Sequence, residues 1–233
     1  MTQNTPVIKV IIPAFNEADS IGHVLREIPT YVNEVIVVDN ASTDQTAERA
    51  RSEGATVLSQ PERGYGNACL KGMEYLEQAG KAPDILVFLD GDYSDYPEDM
   101  DEVLRPILEE GLDFVVGARK KSLREPGSMT PQQVFGNALA TTLMKLLYRA
   151  RFTDLGPFRA IRYERLLELK MQDKTYGWTV EMQLKALRHK LAYTEVPVRY
   201  KQRIGVSKVS GTIKGTIFAG VKILGWIFRY GIY

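Results

Sequence analysis

Two aspartates lie two positions apart at the end of a predicted buried strand, in the stretch FLDGDYSDYPEDM. They are Asp90 and Asp92, separated by Gly91, which lets a ligand come close to the backbone. Side chains two positions apart on an extended segment point to the same side, so both carboxylates can bind one ion. Mg²⁺ and Mn²⁺ prefer oxygen ligands and commonly bridge to substrate phosphates. The pair therefore predicts a divalent metal site, although a motif this short is common.

The other acidic residues of this stretch have a simpler interpretation. Asp95, Glu98, Asp99 and Asp101 surround Pro97, where a helix is predicted to begin. Acidic side chains in the first turn of a helix interact favourably with the helix dipole. For these four residues we expect a solvated helix start. The earlier aspartate pair lies more than a turn upstream, so this interpretation does not include it.

The elements that must position the aspartate pair alternate between strands and helices. Apolar runs such as VIKVIIPA (7–14) and EVIVVDN (34–40) predict strands, and apolar residues at helical spacing between them predict helices. This alternation is typical of a mostly parallel sheet covered by helices on both faces. Ligands of such sheets bind beyond the carboxyl ends of the strands, which is where the pair lies.

Composition excludes several classes of function. The 233 residues suit one large α/β domain, and a formal net charge of +1 argues against nucleic-acid binding. Two distant histidines, His23 and His189, make a His-based zinc site or a Ser-His-Asp triad unexpected. Cys69 is the single cysteine, so the chain has no internal disulfide.

Motifs at three strand ends, taken together, resemble the family 2 glycosyltransferases of the GT-A fold. Pro13, Phe15, Asn16 and Glu17 follow the first strand as a P-x-[FY]-N-E turn, and the second strand ends in V-V-D at Asp39. With the aspartate pair after the fourth strand, this ordered set is far more specific than any of its motifs alone. The resemblance covers essentially the whole chain. It implies a GT-A fold with a mostly parallel central sheet and helices on both faces.

Within that family, the chain looks most like the dolichyl-phosphate mannose synthases and other polyprenyl-phosphate glycosyltransferases. VVGARK (115–120) is similar to their G-[SA]-R strand, and DLGPFRAI (154–161) resembles their D-x-x-S-G-F-R segment. TEVPVRYKQRIGVSK (194–208) matches their E-V-P … R-x-x-G-x-S-K ending. Several relatives also carry C-terminal transmembrane helices, whereas we expect no membrane-spanning helix in these 233 residues.

The match departs from the family at three places. Asn40 stands where many relatives have a second Asp, which leaves the nucleoside contacts open. Ser94 replaces an amide-bearing ligand of some relatives, so water would complete the metal coordination. Gly156-Pro157 replaces a Ser-Gly pair and would reshape the acceptor pocket.

The resemblance implies a donor site for a nucleotide sugar. The turn RGYG after the third strand adds to it, because we expect its backbone to approach the nucleotide with Arg63 nearby. This turn is not a dinucleotide fingerprint, since Cys69 stands where the third glycine belongs. The expected donor-binding residues are Pro13, Phe15, Asn16, Glu17, Asp39, Arg63, Gly64, Asp90 and Gly91.

The same resemblance implies residues for the metal, the acceptor and catalysis. Asp90 and Asp92 should hold Mg²⁺ or Mn²⁺. For the acceptor, the resemblance implies Arg119, Arg159 and Ser207, and the charge of the loop beyond Arg119 adds Lys120 and Arg124 to the expected acceptor-binding residues. The residues expected to act in catalysis are Asp92, Asp154, Arg119, Arg203 and Lys208.

The acceptor decides whether the reaction needs a base. A sugar hydroxyl must lose a proton as it attacks, whereas a lipid phosphate is already an anion. The loop beyond Arg119, with Lys120, Lys121 and Arg124, supplies cations for such a phosphate. Asp154 and Glu181 are the candidates if a base is required, and Glu181 is equally compatible with a helix-surface acid.

Residues 211–233 are expected to form an appendage to a catalytic domain that spans residues 1–210. Helical spacing places Lys214, Lys222 and Arg229 opposite Phe218, Leu224 and Phe228. A basic stripe with a broad apolar face suits a helix lying at a bilayer surface, and the central lysine argues against a membrane span. The alternative is a helix packed on the domain or on a second subunit.

The sequence therefore predicts a metal-dependent, inverting enzyme that transfers a sugar from a UDP- or GDP-sugar to a polyprenyl phosphate. It would be peripheral, at the cytoplasmic face of a membrane, with a membrane-protein partner or a second copy possible. Two alternatives stay open. One is transfer to a soluble glycan or protein hydroxyl, and the other is a non-catalytic sugar-nucleotide-binding subunit of a membrane complex.

Overall fold

A seven-stranded sheet forms the centre of the computed structural model, which describes residues 5–80, 82–205 and 213–230. In chain order the strands are β1 (Ile8–Ala14), β2 (Glu34–Asp39), β3 (Thr56–Ser59), β4 (Ile85–Phe88), β5 (Phe114–Ala118), β6 (Arg159–Arg162) and β7 (Tyr193–Pro197). Their order across the sheet is β3-β2-β1-β4-β6-β5-β7. Strand β6 runs antiparallel to β4 and β5, and the other pairs are parallel. The expectation of a mostly parallel sheet is confirmed.

Helices cover both faces of this sheet. They are α1 (Ile21–Glu27), α2 (Thr46–Ser52), α3 (Tyr65–Gln78), α4 (Met100–Glu109), α5 (Pro131–Tyr148), α6 (Tyr163–Leu169), α7 (Trp178–Arg188) and α8 (Ile213–Tyr230). Alternate strand residues face two separate cores, because side chains along a strand alternate between its faces. Ile11 packs in the core beneath α3 and α7, whereas Val10 and Ile12 pack in the core beneath α1 and α4.

Helix α8 packs against the domain. Its Trp226 and Ile227 are buried in the core shared with α5 and α7, and the Tyr148 hydroxyl donates a hydrogen bond to the Ile227 carbonyl. Phe218 and Phe228 face outward and are exposed. Over the described ranges, no helix is both long enough and apolar enough to cross a bilayer.

The orientation of α8 corrects one detail of the sequence interpretation. We expected a basic stripe opposite the apolar face, but Lys222 forms an ion pair with Asp173 of the domain. Arg229 lies 5.9 Å from the centre of the Trp226 ring. Part of the basic stripe therefore turns toward the protein, because a buried carboxylate gives Lys222 a partner there. The side chain of Lys214 lies outside the described residues.

Candidate active site

A cavity of about 300 Å³ opens beyond the carboxyl ends of β1 and β4. Since these strands are parallel neighbours, the residues that follow them meet at the same edge of the sheet. We call it the donor cavity, and its walls include most of the residues expected to bind the donor: Pro13, Phe15, Glu17, Arg63, Gly64, Asp90 and Gly91. Asp92, Arg203, Asn40, Tyr65 and Tyr176 complete its polar and aromatic lining.

Asp92 is buried and firmly oriented in the donor cavity. Its Oδ1 accepts hydrogen bonds from the Ser94 N–H at 2.9 Å and the Ser94 hydroxyl at 2.5 Å. Its Oδ2 lies 2.6 Å from Nη2 of Arg203. Ser94, which replaces the amide ligand of some relatives, thus acts here by holding the carboxylate of Asp92 in place.

Asp90 has the opposite environment, because its buried Oδ1 has no hydrogen-bond partner among the described residues. Burial, with the negative charge of Asp92, raises the pKa of Asp90 to about 7, although the nearby Arg203 guanidinium opposes this shift. A buried carboxylate oxygen without a partner costs free energy unless a cation or a proton satisfies it. The site is therefore suited to a bound cation.

The carboxylate ligands in this cavity fit Mg²⁺ or Mn²⁺ bound together with a diphosphate. Asp90 and Asp92 follow β4 in this cavity, which Glu17 also lines, and the described part of the chain has no cluster of three or more His, Cys, Asp or Glu side chains that could hold a metal alone. Magnesium sites of this type commonly use one or two carboxylates, substrate phosphates and water. Two buried carboxylates are thus a sufficient protein contribution.

Asp95 contradicts the expected solvated helix start. It is buried, and neither carboxylate oxygen has a hydrogen-bond partner within the described ranges. Burial raises its pKa well above the ordinary value, and the charges of Asp90 and Asp92 add to the effect. The reason is long-range packing, since Asp95 forms a backbone bridge to Tyr200 on a distant segment.

The other acids of this stretch also have specific partners. Asp99 accepts hydrogen bonds from the backbone N–H and Nε of Arg199, both at 2.7 Å, and Glu98 lies 3.0 Å from the same guanidinium. Asp101 accepts from the Tyr31 hydroxyl at 2.5 Å. A role confined to the helix dipole was therefore incomplete, because these acids also bind other segments.

The segment 198–204 brings Arg203 into the donor cavity. Its backbone bonds along the aspartate stretch, with the Lys201 N–H donating to the Ser94 carbonyl at 2.9 Å and the Ile204 N–H donating to the Asp92 carbonyl at 3.0 Å. Besides Asp92, the guanidinium of Arg203 lies 3.5 Å from Glu17. The expected phosphate-binding arginine thus lies beside Asp92 in the donor cavity.

Ser207 and Lys208, expected near the phosphates, lie outside the described residues. Their roles as acceptor contact and catalytic cation stay predictions.

A second, basic cavity of about 420 Å³ lies between α5 and the loop after β5. We call it the basic cavity, and its cationic lining is Arg119, Lys120, Lys121, Arg124 and Lys145. The sequence interpretation missed Lys145. Its spacing of four from Thr141 and eight from Asn137 makes a polar stripe on an otherwise apolar helix, and that pattern was the available signal.

Arg119 and Asp154 form a buried, bidentate ion pair in the wall of the basic cavity. Nε of Arg119 donates to Oδ2 of Asp154 at 2.9 Å, and Nη2 donates to Oδ1 at 2.6 Å. The Arg119 backbone N–H also donates to Oδ2 at 2.7 Å. Despite burial, the Arg119 guanidinium holds the pKa of Asp154 below its usual range. Such a carboxylate is a poor base, so Asp154 positions Arg119.

Arg159 does not reach the acceptor side, which corrects its expected role. It is fully buried, and its guanidinium donates to the carbonyls of Leu155, Gly156 and Thr179. Burial lowers its pKa to about 10. Because Arg159 lies on an inner strand of the sheet, its side chain fixes the 155–156 turn from below.

Glu181 is neither a helix-surface acid nor a base at the site, so both interpretations were wrong. It is fully buried and accepts hydrogen bonds from the backbone N–H groups of Gln172 at 2.9 Å and Asp173 at 2.8 Å. It also lies 2.7 Å from Nζ of Lys185. Its role is to hold the loop between α6 and α7.

Two expected donor contacts, Asn16 and Asp39, are not in the lining of the donor cavity. Asn16 has a φ of 53°, donates its backbone N–H to the Ser42 hydroxyl at 2.9 Å and accepts from the Thr43 N–H at 2.8 Å. Asp39 accepts a hydrogen bond from the Ser42 N–H at 3.3 Å. Both residues thus fasten the loops that follow β1 and β2.

Asn40 lines the cavity and shapes the turn before α3. Its Nδ2 donates to the Glu62 carbonyl at 2.7 Å, and its Oδ1 accepts from the Gly64 N–H at 2.7 Å. Arg63 stacks over the Phe15 ring, with 4.2 Å between the guanidinium carbon and the ring centre. The turn therefore supplies one wall of the donor cavity, as expected.

The glycines of this turn are required by protein packing. A Cβ on Gly64 would lie 2.1 Å from the Lys174 carbonyl oxygen, and a Cβ on Gly66 would lie 1.9 Å from that of Asp173. A close approach to a nucleotide was the expected reason. The observed reason is the close contact with the loop before α7.

Comparisons with known proteins find relatives that match most of the chain. The family model described as "Glycosyl transferase family 2" matches residues 9–169. An uncharacterized glycosyltransferase of Mycobacterium tuberculosis is 33% identical over 91% of this chain and 94% of its own length. The undecaprenyl-phosphate mannosyltransferase of Micrococcus luteus is 30% identical over 96% of both chains. The dolichyl-phosphate hexose transferase of Haloferax volcanii is 31% identical over 87% of this chain and 86% of its own.

Among solved structures, glucosyl-3-phosphoglycerate synthase of Mycobacterium tuberculosis in complex with Mn²⁺, uridine diphosphate and phosphoglyceric acid is similar. The TM-score is 0.77 at 22% identity, covering 97% of this chain and 78% of that chain. The expected GT-A fold is confirmed.

Proposed function

Because the chain belongs to glycosyl transferase family 2, we propose that it transfers a sugar from a UDP- or GDP-sugar to a polyprenyl phosphate with inversion. The family establishes the enzyme class, a nucleotide-sugar-dependent glycosyltransferase. The proposed part comprises the lipid-phosphate acceptor, the dependence on Mg²⁺ or Mn²⁺ and the peripheral location at the cytoplasmic face of a membrane.

The observation that carries the proposal is the charge of the basic cavity. Its lining contains five cationic side chains and one acid, Asp154, which Arg119 already binds. A hydroxyl acceptor needs a base of suitable proton affinity, and the described residues of this lining offer none. A phosphate acceptor needs cations to hold it and no base. The basic cavity therefore favours an anionic acceptor.

The exposed apolar surface of α5 and α8 supports a lipid as the carrier of that phosphate. On α5, which forms one wall of the basic cavity, Phe135 is 70% exposed and Leu146 is 72% exposed. On α8, which packs against α5, Phe218 and Val221 are also exposed. Large exposed apolar side chains on two helices that pack together are typical of a contact surface. We therefore propose that these two helices contact the membrane.

The relatives support a phosphorylated acceptor and differ in its source. Two are named for undecaprenyl phosphate and dolichyl phosphate, whereas the similar solved structure contains the soluble phosphoglyceric acid. A soluble phosphorylated acceptor is thus the second candidate. The exposed apolar surface favours the lipid.

In the proposed reaction, a phosphate oxygen of the acceptor forms a bond to the anomeric carbon of the sugar. The bond from that carbon to the nucleoside diphosphate breaks, and its electron pair leaves with the diphosphate. No proton is transferred, because the attacking oxygen is already anionic. Attack on the side opposite the leaving group inverts the configuration.

The chain's own cations assist both sides of this reaction. Lys120, Lys121, Arg124 and Lys145 hold the acceptor phosphate, and Arg119 is fixed by Asp154 at the boundary of the cavity. Arg203 in the donor cavity stabilises charge that develops on the leaving diphosphate. A metal ion held by Asp90 and Asp92 would supply Lewis-acid neutralisation of the same charge.

A direct test compares three acceptors: a lipid with a phosphate, the same lipid without it, and a soluble phosphate. The purified chain is incubated with Mn²⁺, labelled UDP- or GDP-hexoses and either a short-chain polyprenyl phosphate, the matching polyprenol or 3-phosphoglycerate. We expect sugar transfer to the polyprenyl phosphate and none to the polyprenol. Transfer to 3-phosphoglycerate alone would replace the lipid by a soluble phosphate, and transfer to the polyprenol would contradict the anionic acceptor. Nucleotide binding without any transfer would favour a non-catalytic subunit.

A further inference from the structure

A buried carboxylate joins the C-terminal helix to the loop before α7. Asp173 is 3% exposed, and its Oδ2 accepts a hydrogen bond from Nε1 of Trp226 at 2.5 Å. Nζ of Lys222 lies 3.2 Å from the same oxygen. The other oxygen, Oδ1, accepts from the backbone N–H groups of Thr175 at 2.7 Å and Gly177 at 3.1 Å. One side chain thus binds α8 and shapes the loop.

The loop is in direct contact with the first turn of α3. The Asn67 N–H donates to the Lys174 carbonyl at 2.9 Å, and the Gly66 N–H donates to the Thr175 carbonyl at 3.3 Å. The missing Cβ of Gly66 leaves the space that the Asp173 carbonyl occupies. A shift of the loop therefore has to move the start of α3.

The start of α3 and the loop both form walls of the donor cavity. Gly64 and Tyr65 from the turn, and Tyr176 from the loop, line the same cavity as Asp90 and Asp92. A continuous series of contacts therefore leads from α8 through Asp173 to the place where the donor binds. Each contact is a hydrogen bond or a close backbone approach.

The junction between α8 and the loop has little room to rearrange. A Cβ on Gly177 would lie 2.4 Å from both Oδ2 of Asp173 and Nε1 of Trp226. On its other side, the Asp173 N–H is held by Glu181 at 2.8 Å. When a hydrogen-bond donor to a buried carboxylate is removed, the local structure around that carboxylate becomes less stable.

We infer that Asp173 is a positioning residue for donor binding. Through Asp173, the packing of α8 against the domain is coupled to the affinity of the donor cavity for the nucleotide. The inference rests on the proposed function of that cavity. Asp173 does not line the cavity, so its effect passes through the loop and the turn at Gly64. Such a coupling is reciprocal. A change that stabilises the packing of α8 against the domain strengthens donor binding, and a bound donor stabilises the packing of α8 by the same factor.

The test removes one hydrogen bond and keeps the ring. Trp226→Phe deletes the N–H that Asp173 accepts and leaves an aromatic side chain in the core. We expect the Kd of Mn²⁺–UDP or Mn²⁺–GDP, whichever the wild type binds, to rise roughly threefold to tenfold. At saturating donor, kcat should stay near the wild-type value. Backbone amide exchange at Gly66 and Asn67 should become faster.

The matched control is Tyr148→Phe. It also deletes one hydrogen bond between α8 and the domain, the one to the Ile227 carbonyl, but this bond joins α8 to α5 and not to the loop. We expect it to leave both the nucleotide Kd and the exchange at Gly66 and Asn67 close to wild type. Equal effects of the two variants would mean general loosening of α8 and would overturn the inference.

The two readouts separate this inference from the proposed function. Unchanged nucleotide affinity and unchanged amide exchange in Trp226→Phe would overturn the coupling even if the enzyme transfers sugar as proposed. A wild-type protein that binds neither nucleotide would contradict the proposed function. In that case unchanged exchange at Gly66 and Asn67 would also overturn the contact series, whereas faster exchange would support it.

Discussion

The donor cavity and the basic cavity treat buried charge in opposite ways. In the donor cavity, one oxygen of Asp90 has no partner among the residues the structure describes, and the pKa of Asp90 is raised to about 7. In the basic cavity, the acid Asp154 is fully engaged by Arg119, and its pKa is lowered. The donor cavity is therefore suited to binding a cation. The basic cavity is suited to binding an anion, because within the described residues four of its cationic side chains, Lys120, Lys121, Arg124 and Lys145, form no ion pair. Together the two cavities match a metal–diphosphate on one side and a phosphate on the other.

The largest expected effect comes from removing a donor-cavity carboxylate. Asp92→Ala should lower the rate of sugar transfer by about a thousandfold, because the charge of the leaving diphosphate is no longer neutralised. In thermal-shift measurements, nucleotide binding by this variant should lose its dependence on Mn²⁺. Ser94→Ala, which only removes the hydrogen bonds that orient Asp92, should have a smaller effect. Metal-linked nucleotide binding of wild-type strength in Asp92→Ala would show that Asp92 is not the ligand.

The next effect concerns the ion pair of the basic cavity and its pH dependence. Breaking a buried pair costs about 3–5 kcal/mol, so Asp154→Asn should be less stable than wild type by roughly that amount at pH 7. Because the folded-state pKa of Asp154 is depressed, its contribution is complete above about pH 4 and is lost as pH falls through that lower pKa. The gap between the two proteins in urea denaturation should therefore shrink below about pH 4. A gap that stays constant down to pH 2 would contradict this assignment.

A smaller effect separates acceptor binding from donor binding. Lys145→Gln should raise the KM for the phosphorylated acceptor about tenfold and leave the nucleotide Kd unchanged, since a charge-assisted contact contributes on the order of 1.5–3 kcal/mol. Lys71→Gln, on the outer surface of α3, is the matched control. If Lys145→Gln weakens nucleotide binding instead, the basic cavity is part of the donor site.

The smallest effect tests the apolar surface beside the basic cavity. Phe135→Ser combined with Leu146→Ser should reduce sedimentation with anionic lipid vesicles roughly fivefold, because less apolar area enters the membrane. Both side chains are exposed, so the melting temperature should change little. Leu108→Ser, an exposed leucine on α4, provides the comparison. Equal vesicle binding by all three proteins would remove α5 from the membrane contact.

The sequence predicted those parts of the site that depend on short-range order. The parallel sheet follows from alternating apolar runs, and Asp90 and Asp92 follow directly from the end of β4. Asp95, Arg159 and Glu181 were misassigned because tertiary packing buries each of them, and the local sequence pattern does not show that burial. Asp95, for example, forms a backbone bridge with Tyr200, and no local sequence pattern predicts that contact.

The same limit explains the glycines of the RGYG turn. Their small size was visible in the sequence, but the residues that require it, Asp173 and Lys174, lie more than a hundred positions away. The polar stripe of α5, by contrast, was readable from its spacing and should have indicated Lys145. Local periodicity predicts which side of an element is polar, and tertiary packing decides what that side faces.

The ion pair between Arg203 and Asp92 bears on the order in which ligands arrive. The guanidinium of Arg203 lies 2.6 Å from Asp92 and 3.5 Å from Glu17, so a divalent ion that binds Asp92 has to compete with this positive charge. A nucleotide diphosphate gives that guanidinium a new partner at the moment the ion takes over the aspartate. Metal and nucleotide should therefore load as one unit: Mn²⁺ titrated alone should bind weakly, and UDP or GDP should tighten it. We therefore expect the arginine to favour a cation that binds together with a nucleotide diphosphate over a cation that binds alone.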